Sequence, residues 1–134
     1  PFAAADHEIE ALKRKGAQIV FVDFHAEATS EKIAMGYHLD GRAGAGVGTH
    51  THVQTADEKI LPRGTAYLTD AGMTGPQLSV LGMKVEIILK RFVTGLPQRF
   101  EVADGKGQIN GAVVDIDETN GKARSIERIV FLEK

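Results

Sequence analysis

The strongest constraint on the fold is a strand–helix–strand pattern in the first half of the chain. Residues 18–24 are rich in β-branched and aromatic side chains and are apolar on both faces, which is typical of a strand covered by helices on both sides. A helix is predicted to begin at Thr29 or Ser30, with a hydroxyl side chain as its cap, and residues 42–48 predict a second strand. This spacing favours a right-handed βαβ unit, so the two strands should be parallel.

Hydrophobic periodicity predicts four further elements around this unit. They are an amphipathic helix over residues 3–15, a third strand over residues 65–69, a helix over residues 84–93 and an antiparallel β-meander from residue 98 onward. Asn120-Gly121 is a strong hairpin signal within the meander. We therefore expect an α/β part followed by an antiparallel part, with one core shared by both.

Composition limits the classes of function. The 134 residues suffice for a single domain, and 16 Lys and Arg against 18 Asp and Glu leave no basic surface for a polymeric nucleic-acid partner. Cysteine is absent, so any metal ion would have nitrogen and oxygen ligands. No apolar run approaches the roughly 20 residues that span a bilayer. We expect a cytoplasmic protein with no membrane partner.

Three histidines follow two of the predicted strands. His25 lies at the end of the first strand, and His50 and His52 follow the second. Ligands of open parallel sheets bind outside the carboxyl ends of the strands, so the three imidazoles should lie at one edge of the sheet. In an extended segment His50 and His52 would point to the same side, roughly 7 Å apart. That spacing would suit either one metal ion or two ions about 3.5 to 4 Å apart.

The chemistry of three neutral imidazoles favours a transition metal such as Zn, Fe, Mn, Co or Ni. Such an ion polarises a phosphoryl or carbonyl oxygen and lowers the pKa of a bound water. The histidines therefore predict a hydrolase. A His-x-His pair alone is also compatible with a simple turn, and it is the third imidazole, His25, that favours the metal.

Three carboxylates are candidates for supporting the metal ligands. Asp23 lies two residues before His25 and Glu27 two residues after it. Either carboxylate could orient the His25 imidazole by accepting a hydrogen bond from its second ring nitrogen. Asp70 ends the third predicted strand. The structural alternatives are a hydrogen-bonded strand residue for Asp23, a helix-start carboxylate for Glu27 and a turn-forming residue for Asp70.

Glycines are concentrated in and before the second predicted strand, at positions 41, 44, 46 and 48. Their spacing fits neither the phosphate-binding P-loop nor the complete dinucleotide-binding fingerprint. We expect instead that these glycines permit close approach of the backbone near the site.

Four longer stretches and the closing hairpin carry a family resemblance. The stretches are residues 22–32 around Asp23-Phe24-His25, residues 39–42, residues 48–57 with Gly48-Thr49-His50-Thr51-His52, and residues 69–76 from Thr69-Asp70 to Gly75-Pro76. They closely resemble the YmdB-like family of bacterial calcineurin-type metallophosphoesterases, over essentially the whole chain. The resemblance implies an α/β fold, with residues 1–134 as a single domain that forms the C-terminal half of a metallophosphoesterase α/β/β/α sandwich.

The same resemblance implies a metal-dependent phosphodiesterase that hydrolyses 2',3'-cyclic nucleotides or related phosphodiesters by attack of a metal-activated water. It implies two divalent ions, which could be Fe, Mn, Zn or Mg, with His25 and His50 on one ion and His52 on the other. The family's Asp, Glu and Asn ligands and its catalytic histidine have no counterpart here. No catalytic residue is therefore expected in this chain, and a missing N-terminal half is the expected partner.

Two other functions remain open from the residues. The first is a non-catalytic remnant that binds a metal or contacts other proteins. A sheet edge left exposed would be its surface for partner proteins or for a homo-oligomer. The second is a mononuclear zinc hydrolase of esters or amides, with His25, His50 and His52 as its three ligands.

Overall fold

The computed structural model describes all residues from Pro1 to Lys134. Three helices and seven strands follow one another along the chain. In order they are α1 (Phe2–Arg14), β1 (Phe21–His25), α2 (Thr29–Leu39), β2 (Ala45–Thr49), β3 (Lys59–Ile60), β4 (Ala66–Leu68), β5 (Gly75–Pro76), α3 (Val85–Thr94), β6 (Gly107–Ile116) and β7 (Ala123–Leu132). None of the helices has the length and apolar character that crossing a membrane requires.

The first sheet has the strand order β1-β2-β4-β3. Strand β2 pairs in parallel with both β1 and β4, which confirms the βαβ unit, and β3 runs antiparallel to β4. The register of β1 and β2 places His25 opposite Thr49. The carboxyl ends of the two strands therefore lie side by side, with the histidine motif directly after β2.

The buried core belongs to this first sheet and to the helices beside it. Its central cluster consists of Ile9, Val20, Met35, Leu39 and Ala43. Burial of each large aliphatic side chain contributes about 1.5 to 3 kcal/mol to folding. Strand β1 lies at the edge of the sheet, and Phe21 is 55% exposed. The prediction that helices cover this strand on both faces is therefore wrong, because apolar composition alone does not distinguish an edge strand from a central one.

The second sheet is antiparallel and has the strand order β5-β6-β7. Strands β6 and β7 form a hairpin that turns at Asn120-Gly121, as predicted, with Gly121 in the left-handed region at φ 71°. The meander does not begin at residue 98: only Val102 forms an isolated bridge there, and β5 supplies the third strand. No residue of β6 or β7 is fully buried, so the most deeply buried residues lie outside this hairpin.

The helix ends follow the sequence in part. Helix α3 ends at Gly95 in the left-handed conformation, at φ 68°, which satisfies its last carbonyl groups as expected of a C-terminal glycine. Helix α2 begins at Thr29 behind Ala28, and no side chain caps it. The predicted hydroxyl cap is therefore wrong.

Gly48 permits the close approach of β2 to β4 that its position predicted. A Cβ atom on Gly48 would overlap the carbonyl oxygen of Thr69 and would lie 2.7 Å from Cδ of Lys32. On Gly46 a Cβ would meet only Cδ1 of Leu39, at 3.1 Å, and that flexible end of a side chain can move. Within β2, the stricter need for glycine is therefore at Gly48, two residues before His50.

We expect Gly48→Ala to lower the free energy of unfolding by about 1 to 3 kcal/mol, because the added methyl group would overlap the backbone of Thr69, which cannot move aside as a flexible side chain can. Gly46→Ala is the matched control and should have a smaller effect, since the side chain of Leu39 can adjust. Chemical denaturation of the two variants tests this difference. Equal losses would show that the approach of β2 to β4 is not the constraint.

Candidate metal centre

His25 and His50 meet at the carboxyl edge of the first sheet. His25 Nε2 lies 3.1 Å from His50 Nδ1, and the two rings meet edge to face with their centroids 5.0 Å apart. The contact follows from the strand register, because His50 is the next residue after Thr49, the partner of His25. Both imidazoles are exposed to solvent.

The second nitrogen of His25 is held by Thr49 and Asp23. The Thr49 hydroxyl donates to Asp23 Oδ1 at 3.1 Å, and the same hydroxyl oxygen lies 3.1 Å from His25 Nδ1. A hydroxyl has one hydrogen and a carboxylate can only accept, so Thr49 must accept a hydrogen bond from His25 Nδ1–H. Neutral His25 therefore keeps its lone pair on Nε2, which is the tautomer that a metal ligand requires, and this nitrogen accepts a hydrogen bond from His50 Nδ1–H. His50 Nδ1 would have to lose that hydrogen to bind an ion.

His52 does not join this pair. The segment after β2 is bent rather than extended, with positive φ angles of 123° at His50 and 64° at His52. The sequence argument that places both imidazoles on the same side of an extended segment is therefore wrong at these two residues. No group of three or more His, Asp or Glu side chains lies close enough to hold a metal ion. This arrangement disfavours the mononuclear zinc alternative, which needs three imidazoles on one ion.

The three candidate carboxylates differ in their surroundings. Asp23 acts on His25 through the hydroxyl of Thr49. Glu27 is exposed beyond the end of β1, and its carboxylate makes no hydrogen bond. Asp70 is fully buried, and it accepts a hydrogen bond from the Thr51 amide in the histidine loop rather than from an imidazole.

Asp70 forms an ion pair with a residue that the sequence argument missed, Lys32 of α2. Lys32 Nζ lies 3.0 Å from Asp70 Oδ2, and both side chains are at most 1% exposed. Lys32 shares the buried stripe of α2 with Met35 and Leu39. That stripe is the signal in the sequence: a lysine at a core position of an amphipathic helix needs a buried partner.

The charge of Asp70 is maintained by its hydrogen bonds. Burial by itself raises the pKa of this carboxyl, but amide donors from Gly72 and Thr51 and the ammonium of Lys32 together hold the pKa below its ordinary value of 3.8. Asp70 is therefore a carboxylate near neutral pH, and its oxygens are already occupied by donors.

The His25 and His50 nitrogens fit part of a metal shell. Two ligands about 2.0 to 2.1 Å from a tetrahedral zinc ion are about 3.3 Å apart, close to the separation found here. Two imidazoles suit a transition ion and supply about half of a four-coordinate shell. The remaining ligands would have to come from outside this pair.

The two sheets, with imidazoles at the strand ends of the first, define the class: the fold matches a phosphatase of the metallophosphoesterase type, as predicted. A family model described as "YmdB-like protein" matches residues 1–129. The chain belongs to this family.

Relatives of known sequence cover nearly all of the chain. The chain is 61% identical over 132 residues to the 2',3'-cyclic-nucleotide 2'-phosphodiesterase of Bacillus subtilis, covering 98% of this chain and 49% of that protein. It is 40% identical over 125 residues to a putative phosphatase/phosphodiesterase of Mycoplasma pneumoniae, covering 92% and 44% of the two chains. The chain thus spans about half the length of the curated relatives it matches, and the Bacillus match lies in the C-terminal half.

Two crystal structures have the same fold. A hypothetical protein from Thermus thermophilus matches with a TM-score of 0.91 and 46% identity, covering 100% of this chain and 51% of that one. A novel phosphatase from Mycoplasma pneumoniae matches with a TM-score of 0.90 and 38% identity, covering 98% and 46%. TM-score and coverage together show that the two structures share the backbone fold of this chain.

We expect Thr49→Val to weaken the preference of His25 for the tautomer with its hydrogen on Nδ1. The change removes the hydroxyl that accepts from Nδ1–H while it keeps the shape of the side chain, so the Nε2–H form should gain population. Side-chain ¹⁵N NMR of the metal-free chain, at a pH where the imidazole is neutral, measures the ratio. Thr94→Val at the end of α3 is the control and should leave His25 unchanged. An unaltered ratio in Thr49→Val would contradict the assignment.

Proposed function

We propose that this chain supplies part of the metal centre of a phosphodiesterase that acts on 2',3'-cyclic nucleotides or related phosphodiesters. The observation that carries the proposal is the pairing of His25 Nε2 with His50 Nδ1, 3.1 Å apart, at the carboxyl edge of a parallel sheet. The name of the Bacillus subtilis relative supports the substrate class, since that protein is 61% identical over the shared half.

In this proposal His25 and His50 hold one divalent ion and His52 serves a second, with Fe, Mn, Zn or Mg as candidates. When bound, such ions polarise the phosphoryl oxygens and activate a water. This chain's own contribution is to hold the ions and to orient His25 through Thr49 and Asp23. We assign no general acid or base to this chain: Asp70 is buried and its oxygens already accept hydrogen bonds, and Glu27 is exposed beyond the end of β1.

The ligands that complete the shell would come from a second half of the domain, docked along β1. This strand has a neighbour on one side only, so its outer edge presents free backbone groups. Beside it, α1 and β1 line an apolar groove of about 390 Å³ that includes Leu12 and Phe21. A partner strand added at this edge would end next to His25, where oxygen ligands are needed.

Hydrolysis of 2',3'-cyclic AMP tests the activity. We expect turnover when the chain is joined to the N-terminal half of the Bacillus subtilis relative and loaded with Mn²⁺, and none from this chain alone. His50→Ala in the joined protein should lower kcat/KM by more than about 100-fold, since loss of a group that merely supports a ligand already costs 10- to 100-fold. His7→Ala, exposed on α1, is the control and should have no effect.

Two outcomes would count against this proposal in different ways. Robust turnover by the isolated chain would show that the second half is unnecessary. A joined, folded and metal-loaded protein without activity on any phosphodiester would contradict the proposed phosphodiesterase activity and favour the non-catalytic alternative.

Phe21→Glu should weaken association with the separately expressed second half by at least about tenfold, because a charge on the edge strand opposes strand addition. Phe131→Glu is the matched control: Phe131 is also exposed on a strand, β7, but lies in the other sheet. Titration followed by size-exclusion chromatography measures the two affinities. Equal weakening by both variants would mean that β1 is not the docking edge.

A further inference from the structure

The ion pair between Lys32 and Asp70 lies directly beneath the histidine loop. Among the ion pairs of the chain it is the one in which both side chains are buried. Lys32 reaches it from α2 and Asp70 from the end of β4, so the pair joins two elements that flank β2. The hydrogen bonds of both groups go to each other and to backbone atoms rather than to the imidazoles of His25, His50 or His52.

The pair binds the peptide groups on both sides of His50. Lys32 Nζ donates to the carbonyl oxygen of Thr49 at 3.0 Å, and Asp70 Oδ2 accepts from the amide of Thr51 at 2.9 Å. The same Oδ2 also accepts from Lys32. Asp70 Oδ2 therefore links the Thr51 amide to the ammonium of Lys32, and that ammonium in turn binds the Thr49 carbonyl oxygen.

This arrangement accounts for the unusual backbone of His50. Its φ angle of 123° lies in the left-handed region, which a residue with a side chain adopts only when its surroundings impose it. Fixed peptide groups on either side supply that constraint. Asp70 Oδ1 is in turn held by the amide of Gly72, so the carboxylate cannot rotate away.

Stability alone does not account for the pair. A buried ion pair often contributes less than well-packed apolar side chains of similar volume, because two charges must leave water. Removal of one partner is costly, whereas replacement of both can be neutral. What apolar side chains cannot do is bind the Thr49 carbonyl and the Thr51 amide.

We propose that Lys32 and Asp70 are positioning residues that fix the His50 imidazole for metal binding through the two flanking peptide groups. The inference rests on the proposed function, in which His25 and His50 share an ion. It predicts that loss of the ion pair weakens metal binding in the folded protein, and that this effect passes through His50.

A double-mutant cycle tests the inference in the protein joined to its second half. Lys32→Met with Asp70→Leu replaces the ion pair by apolar side chains; the protein should stay folded at the temperature of the titration, with a lower thermal midpoint because the Thr49 carbonyl and the Thr51 and Gly72 amides lose their partners. The affinity for Zn²⁺, measured by titration without substrate, should fall about 10- to 100-fold. In a His50→Ala background the same double substitution should have little further effect. Lys84→Met with Glu101→Leu, an exposed pair, is the control.

Asp70→Asn provides a second variant if the apolar replacement does not fold. It keeps the size of the side chain but weakens the acceptor for Thr51, so faster hydrogen exchange at the Thr51 amide and weaker Zn²⁺ binding should appear together. Unchanged Zn²⁺ affinity, or an equal loss with and without His50, would overturn the inference. If His50→Ala by itself leaves Zn²⁺ affinity unchanged, the metal assignment fails, and this inference fails with it; that result is distinct from a failure of the ion pair alone.

Discussion

The parallel pairing of β2 with its two neighbours is the constraint on which the site depends. On one side the register with β1 places Thr49 against His25, and on the other the close contact at Gly48 brings β2 within reach of the end of β4. The first contact makes the His25–His50 pair. The second allows Asp70 to reach the loop that follows. One short strand thus fixes both the imidazoles and their support.

The parts of the fold that the sequence predicts are those set by local pattern. The βαβ unit, the hairpin at Asn120-Gly121 and the end of α3 at Gly95 each depend on residues close together in the chain. Strands β3 and β5 have two residues each, too few for any periodicity. The exposure of Phe21 depends on what lies beside β1, which composition does not record.

The same distinction between local pattern and distant contacts applies to the candidate site. The meeting of His25 and His50 follows from parallel strands, so the motif and the topology together predict it. The position of His52 does not follow, because the i, i+2 rule assumes an extended backbone and the loop leaves that conformation at His50 itself. The sequence does not predict the role of Lys32, because its partner, Asp70, is 38 residues away and follows another element.

The charge balance of the site explains why the imidazoles need a partner. Imidazole ligands bring no negative charge to an ion, and the nearby carboxylates already accept hydrogen bonds: Asp23 accepts from Thr49, and Asp70 accepts from Lys32 and backbone amides. A divalent ion on His25 and His50 would therefore keep its full charge at an exposed edge. Two ions close together would repel strongly without bridging anions. In the proposed function, oxygen ligands from beyond β1 would supply that negative charge, so the same unpaired strand edge would govern both assembly and metal binding.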